Sequence, residues 1–296
     1  MQNNQFKPFS NFATPFTIGL QLLGENNVFQ PDQKFEKYLA EKQSLFESSP
    51  DEVFQAEADT LEAQNEVLDF VLTRISMGNN QGKSPKTIHC PISHNTYNRA
   101  DYSDRPLMLA ALLVQDDLVI MRRKANNWHL VAASLCFPSS WNLAEKFGKP
   151  LVEIHRPVPG INDGLDPMIN RIFNNLQPDT PVWRENWSFY GDDELRHDSV
   201  ESNRQAKGEH AILENDTFIR REYQTLHKLP ISGGILFTIK ILIEPLDIIA
   251  HQRNPAKIAT LLLGQIESMN KAQLQYKRLD KNLTYLRNYL RPLSET

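Results

Sequence analysis

Hydrophobic positions at Phe35, Tyr38, Leu39 and Leu45 fall near helical spacing and predict a helix in the stretch from Pro31 to Ser48. Ser49-Pro50-Asp51 follows as a stop and an N-terminal capping signal. Val53, Phe54, Leu61, Val67, Leu68, Phe70, Val71 and Leu72 then predict a second amphipathic helix reaching about Ile75. Residues 77–103 are rich in Asn, Ser, Gly and Pro and read as a long loop.

The pattern changes at Arg105-Pro106, where Pro106 suits the first position of a helix over Leu107–Val114. Two strand-like runs, Leu118–Arg122 and Trp128–Cys136, flank the turn signal Ala125-Asn126-Asn127 and predict an antiparallel hairpin. Next come a short helix over Ser140–Phe147 stopped by Gly148, the apolar segment Leu151–His155, a rigid break at Pro157-Val158-Pro159-Gly160, and a helix over Asp163–Leu176. Three further strands are predicted at Val182–Tyr190, Thr217–Leu226 and Ile235–Ile243, with a polar, exposed insert at Gly191–Asn215 between the first two. Beyond Pro245 the periodicity is helical, over Ile258–Met269 and Leu274–Leu290.

This order predicts an α+β fold: an antiparallel sheet of about five strands, helices inserted after the hairpin, and flanking N- and C-terminal helices. It divides the chain into an arm and helices over 1–103, a core over 104–246, and C-terminal helices over 247–296. A hairpin, a helical excursion and three more strands is also the succession of PAS domains. It places a cavity between the sheet and the inserted helices of residues 140–176.

Composition narrows the function classes. The chain has 296 residues, 40% hydrophobic and 23% charged, which excludes general disorder and allows a substantial core. The net charge is −4, and no long basic stretch interrupts it, so a nucleic-acid surface is not expected. Cys90 and Cys136 lie in unrelated contexts without a CxxC pair, which argues against a zinc site or an iron–sulfur cluster held by this chain. Met1–Gly19 lacks a basic region followed by an apolar core. The longest apolar run, Gly234–Ile243, contains Lys240 and is too short for a bilayer, so no membrane contact and a cytoplasmic location are expected. GxGxxG, GxxxxGK[ST], GxSxG and HExxH are all absent from the sequence.

Three places could carry chemistry. His155 closes an apolar segment just before paired prolines, and a neutral imidazole there could ligate a haem iron; on pattern alone a core or capping histidine is the favoured reading. On Val182–Tyr190, Trp183, Glu185, Trp187 and Phe189 alternate with Arg184, Asn186 and Ser188. The Arg and Asn could line a polar pocket or hold a propionate, or the aromatics could be core and the polar residues wet. In Ile219-Arg220-Arg221-Glu222-Tyr223 charges occupy both faces, so one of Arg221 and Glu222 faces inward unless this is an edge strand. An inward Glu222 could bind a cationic amine or move protons. His89 and His94 have no recognisable metal spacing, His129 and His227 have no evident partner, and His197 and His210 fall in the polar insert, where exposure is expected.

Several ordered blocks resemble one family. They are Asp104-Arg105-Pro106-Leu107, Ala133 to Trp141 (ASLCFPSSW), Glu145 to Pro150 (EKFGKP), Ile154 to Gly160 (IHRPVPG), Pro181 to Trp187 (PVWRENW), Glu222 to Leu226 (EYQTL) and Leu236 to Ile239 (LFTI). Their order and spacing are similar to the haem-dependent oxidative N-demethylase alpha subunit-like family, from about Phe16 to Leu246. The resemblance implies a PAS-like domain that binds haem b. Such a haem-dependent monooxygenase uses O2 to demethylate a small secondary amine such as dimethylamine. It further implies electrons from NADPH through a separate reductase with FMN and a 2Fe-2S cluster, and a tetrahydrofolate-binding partner that takes up formaldehyde. Transferred to this chain, His155 becomes the axial iron ligand. Arg184, Asn186 and Glu222 become distal-pocket or propionate residues, with Trp187 and Arg221 as further cofactor contacts. Tyr223 stands where the family pattern leads one to expect a basic residue, which would alter amine specificity if that position touches substrate. Two other readings stay open: a non-catalytic haem-binding PAS-like sensor, and a member that has lost haem and binds another small ligand.

Overall fold

In a computed structural model the described residues are 16, 18–24, 28–75, 85–160, 165–197 and 217–295. Much of Met1–Gly19, the start of the helix expected from Asp163, and most of the polar insert with His210 lie outside them.

The fold mixes helices with a mainly antiparallel sheet. Its long strands are β5 (Asp117–Lys124), β6 (Asn127–Ser134), β7 (Val182–Tyr190), β8 (Phe218–Lys228) and β9 (Ile235–Pro245). These are the five strands the alternation predicts. Two short ones join the edges, β1 (Gln21–Leu22) beside β7 and β2 (Phe54–Ala56) beside β6, giving seven in the order β1-β7-β8-β9-β5-β6-β2. The expected count of about five is corrected on this point. The second predicted helix is also broken: one turn, Pro50–Val53, ends where Phe54 pairs with Ser134, and the helix resumes only at Leu61–Ile75. Long-range pairing overrides the helical spacing there. A small hairpin, β3 (Thr87–His89) with β4 (Thr96–Asn98), occupies part of the expected loop. The helix over Leu274–Leu290 is two helices, parted at Arg278, whose φ is 57°.

Each face of the sheet is covered by a different part of the chain. Helices α1 (Phe35–Ser48), α3 (Leu61–Ile75) and α4 (Pro106–Ala111) bring Leu39, Leu68, Val71, Leu107 and Leu109 against Leu118, Ile120 and Leu236, with α2 (Pro50–Val53) between α1 and β2. The inserted helices α5 (Leu143–Lys146), α6 (Leu151–His155) and α7 (Leu165–Asn175) bring Leu143, Leu151 and Phe173 against Val119, Leu226, Ile239 and Ile241 on the other face. Helices α8 (Pro255–Ser268), α9 (Lys271–Tyr276) and α10 (Leu283–Ser294) complete the fold, with Ile258, Leu262, Leu286 and Leu290 packed against Trp187, Phe189 and Ile219. Burying such side chains contributes about 1.5–3 kcal/mol each, which makes the two covered faces the main source of stability.

Polar pins fix the layers. The Asp117 carboxylate accepts the backbone N–H groups of Cys136 at 2.9 Å and Phe137 at 2.8 Å, closing the end of the β5–β6 hairpin. Lys42 of α1, fully buried, donates to the carbonyls of Val114 at 3.1 Å and Asp116 at 2.5 Å and lies 3.8 Å from Asp117. His197, expected in the exposed insert, is buried: its ring lies 4.2 Å from that of Tyr190 and its backbone bridges to Ser139. No helix among the described residues is long and apolar enough to cross a membrane.

Candidate functional site

The side chains that converge are held by β7, β8, α6 and α9. In the β7–β8 register Asn186 lies opposite Glu222 and Arg184 opposite Gln224. Alternation therefore puts all four on one face, the one covered by the inserted helices. Asn186 Nδ2 donates to Glu222 Oε2 at 3.4 Å and Gln224 Nε2 donates to the same oxygen at 2.7 Å. Both amides engage Oε2, which leaves Oε1 for another donor.

His155 is the last residue of α6. Its carbonyl accepts the N–H of Val158 at 2.8 Å, so the proline-rich segment folds back directly after it. Gly160, with φ of 85°, permits the end of that turn. Lys146 Nζ donates to the Ile154 carbonyl at 2.9 Å and ties α5 to α6. The His155 Nδ1 atom is buried without a hydrogen-bond partner. Burial, reinforced by the charges of Arg184 and Lys146, pushes the imidazole down to about 4, so it is neutral at pH 7. The Nε of Arg184 is likewise buried without a partner. Burial lowers this guanidinium's pKa and the Glu222 carboxylate opposes the effect. A buried polar atom left unpaired costs about 1–3 kcal/mol, so both atoms are open to a further hydrogen-bonding or coordinating partner.

Two contributors carry no local sequence signal. Gln224 pairs with Glu222 only through the strand's alternation. Lys277 follows the last residue of α9, and its Nζ donates to Asn186 Oδ1 at 3.1 Å and to the Trp187 carbonyl. The same ammonium lies 4.7 Å from the Trp187 ring centre and 5.8 Å from that of Phe16. Burial pushes Lys277 down to about 8; Glu222 opposes this and Arg184 adds to it.

The structure brings together His155, Arg184, Asn186 and Glu222 of the residues singled out from the sequence. The side chains of Trp187 and Arg221 lie on the opposite face of the strands from these four. Strand alternation turns both to the other face. There the Trp187 indole donates to Gln265 at 2.6 Å, and Arg221 reaches Glu185 and Glu244, each at 3.4 Å. Tyr223 sits on that face too, its ring 5.2 Å from Trp183, so the departure at this position falls away from Glu222.

This arrangement can offer a neutral imidazole lone pair, a cation suited to a carboxylate, and a carboxylate suited to an ammonium. A family model for haem-dependent oxidative N-demethylase, alpha subunit-like proteins matches residues 19–286, and the chain belongs to that family. No curated protein matches it.

Proposed function

From membership of that family, we propose that this chain is the haem-binding subunit of a monooxygenase that oxidatively demethylates a small secondary amine of the dimethylamine type. One observation carries the reading: the neutral imidazole of His155, with its buried unpaired Nδ1, lies close enough to Arg184 to feel its charge on the helix-covered face of the sheet. A porphyrin supplies four nitrogens of its own, so the single imidazole of His155 would be enough for the protein to hold the iron. An imidazole must be neutral to ligate, and burial keeps this one neutral. Arg184 would hold a haem propionate through charge-assisted hydrogen bonds. The partly buried Ile154, Ile172, Val182 and Phe237 offer apolar surface in the same layer. A hairpin, inserted helices and three further strands in one antiparallel sheet support a PAS-like description of the core.

When bound, the haem supplies the oxidation of the amine's methyl group with O2. The protein's part is recognition and proton handling. A dialkylammonium ion carries N–H donors and a positive charge, and Glu222 Oε1 can accept both. Asn186 and Gln224 hold the carboxylate in place through Oε2. Glu222 would then take a proton from the ammonium, because the free amine is the oxidisable form. Electrons from NADPH through FMN and a 2Fe-2S cluster, and formaldehyde capture on tetrahydrofolate, would come from partner subunits, in keeping with the alpha-subunit description of the family.

The test is a visible absorption spectrum of the chain reconstituted with haem, for wild type and His155→Ala. A sharp Soret band that shifts or vanishes in the variant is the expected result. A band indifferent to the substitution would remove His155 as ligand, and no specific haem uptake by the wild type would overturn the oxidative function.

A further inference from the structure

Lys277, Asn186 and Glu222 form a line of contacts that the family reading does not use. A lysine ammonium only donates and a carboxylate only accepts, whereas an asparagine amide can turn either end to a neighbour. With Lys277 Nζ 3.1 Å from Oδ1, Asn186 must present its NH2 group to the other side, where Glu222 Oε2 accepts at 3.4 Å. Lys277 is itself clamped. It takes the Trp187 carbonyl on the open edge of β7, beyond the two residues that β1 pairs, and it lies against the rings of Trp187 and Phe16.

We infer that Lys277 is a positioning residue that fixes the orientation of the Asn186 amide and, through it, the Glu222 carboxylate that receives the amine. This inference deepens the proposed function and rests on it for the identity of the substrate. Removing the ammonium frees Asn186 to rotate and point its oxygen at Glu222, which sets two acceptors against each other and displaces the carboxylate from its position. The charged groups facing Lys277 are Glu222 from β8 and Arg184 from β7; the first favours its charged form and the second disfavours it.

Two readouts separate this role from the function it serves. Without haem or amine, the side-chain NH2 resonances of Asn186, assigned by their loss in Asn186→Ala, should move in Lys277→Met and stay near the wild-type position in Lys277→Arg. The same movement should appear in the unsubstituted chain as pH rises through about 8, where Lys277 loses its proton, so the measurement survives if Lys277→Met does not fold. In the haem-loaded chain Lys277→Met should weaken dimethylammonium binding about tenfold, the loss of one hydrogen bond's worth of placement. Lys277→Arg should restore most of it, and in a Glu222→Gln background Lys277→Met should cause no further loss. Asn186 resonances that ignore both the substitution and the pH change would overturn the inference, as would additive losses in the double variant. A wild-type chain that binds no amine would instead overturn the proposed substrate, while the Asn186 resonances still decide the role of Lys277.

Discussion

Arg221 reaches Glu185 at 3.4 Å on one face of the sheet, while Glu222, its neighbour in sequence, serves the other face. The same guanidinium lies 3.4 Å from Glu244, so it clamps β7 and β9 across β8. Its side chain is only 5% exposed, against 15% for Glu185 and 31% for Glu244. Replacing it with an apolar residue takes the guanidinium away from two partly buried carboxylates. Arg221→Met should lower unfolding free energy by about 2–3 kcal/mol, below the range for a fully buried pair because Glu244 is partly wet. Urea denaturation measures this. The Soret maximum of the folded, haem-loaded variant should match wild type, and a changed maximum would return Arg221 to the cofactor site.

Glu222→Gln keeps the size of the side chain and removes its charge. Haem uptake and the Soret band should be retained. Affinity for dimethylammonium should fall about 10- to 100-fold, the range for a charge-assisted hydrogen bond in a partly buried place. An unchanged affinity in calorimetric titration would show that the amine is held elsewhere.

Asp116 makes stability depend on pH. It is buried, its Oδ2 has no partner, and burial pushes its carboxyl up to about 6 against the opposing charges of Lys240 and Lys42. Between the ordinary value of 3.8 and about 6 the folded chain binds a proton that the unfolded chain releases. The folded state therefore loses stability as pH rises through that window, and the cost is complete above it. Asp116→Asn removes the titration and should stabilise the protein by about 2 kcal/mol at pH 8. The net rise already contains the attraction to the lysines and corresponds to about 3 kcal/mol at ~1.4 kcal/mol per tenfold change in proton affinity, of which burial of the new amide takes back about 1 kcal/mol. Near pH 4 the advantage should disappear. Thermal melts of both proteins at the two pH values check the sign.

Lys42 has no exposed surface, and three backbone carbonyls surround its ammonium. Lys42→Met should cost about 3–5 kcal/mol, because Asp117 loses its buried counter-charge along with those carbonyls' donor. Denaturant titration with an unchanged midpoint would show that Asp117 is satisfied by the N–H groups of Cys136 and Phe137 alone.

Much of this was legible from the chain. The alternation in Val182–Tyr190 matches the strand end to end, because one face is aromatic and packed and the other polar. It could not say which face holds the site, since both are covered, one by the inserted helices and the other by N- and C-terminal helices. For the same reason Arg221 and Glu222 both point inward, each to its own layer. His155 was visible through its proline-rich surroundings, whereas Lys277 was not. The apolar spacing over Leu274–Leu290 runs straight through the break, and Arg278 takes a left-handed conformation without a glycine or proline to announce it. Phe54 fits a helix as well as a strand, and only its distant partner Ser134 decides between them.

Lys277 and Asn186 stand 91 residues apart in the chain. His155 arrives from the inserted helices, Glu222 from a strand on the far side of the polar insert, and Lys277 from the C-terminal helices. No partly folded chain that lacks one of these segments has the site. A ligand that bridges His155 and Glu222 would bind only a chain in which the inserted helices and β8 are both in place, so occupancy would stabilise that arrangement by mass action. Occupancy of the site would therefore reward joining of the inserted helices to the strands beyond them, two parts of the chain that meet only in the folded protein.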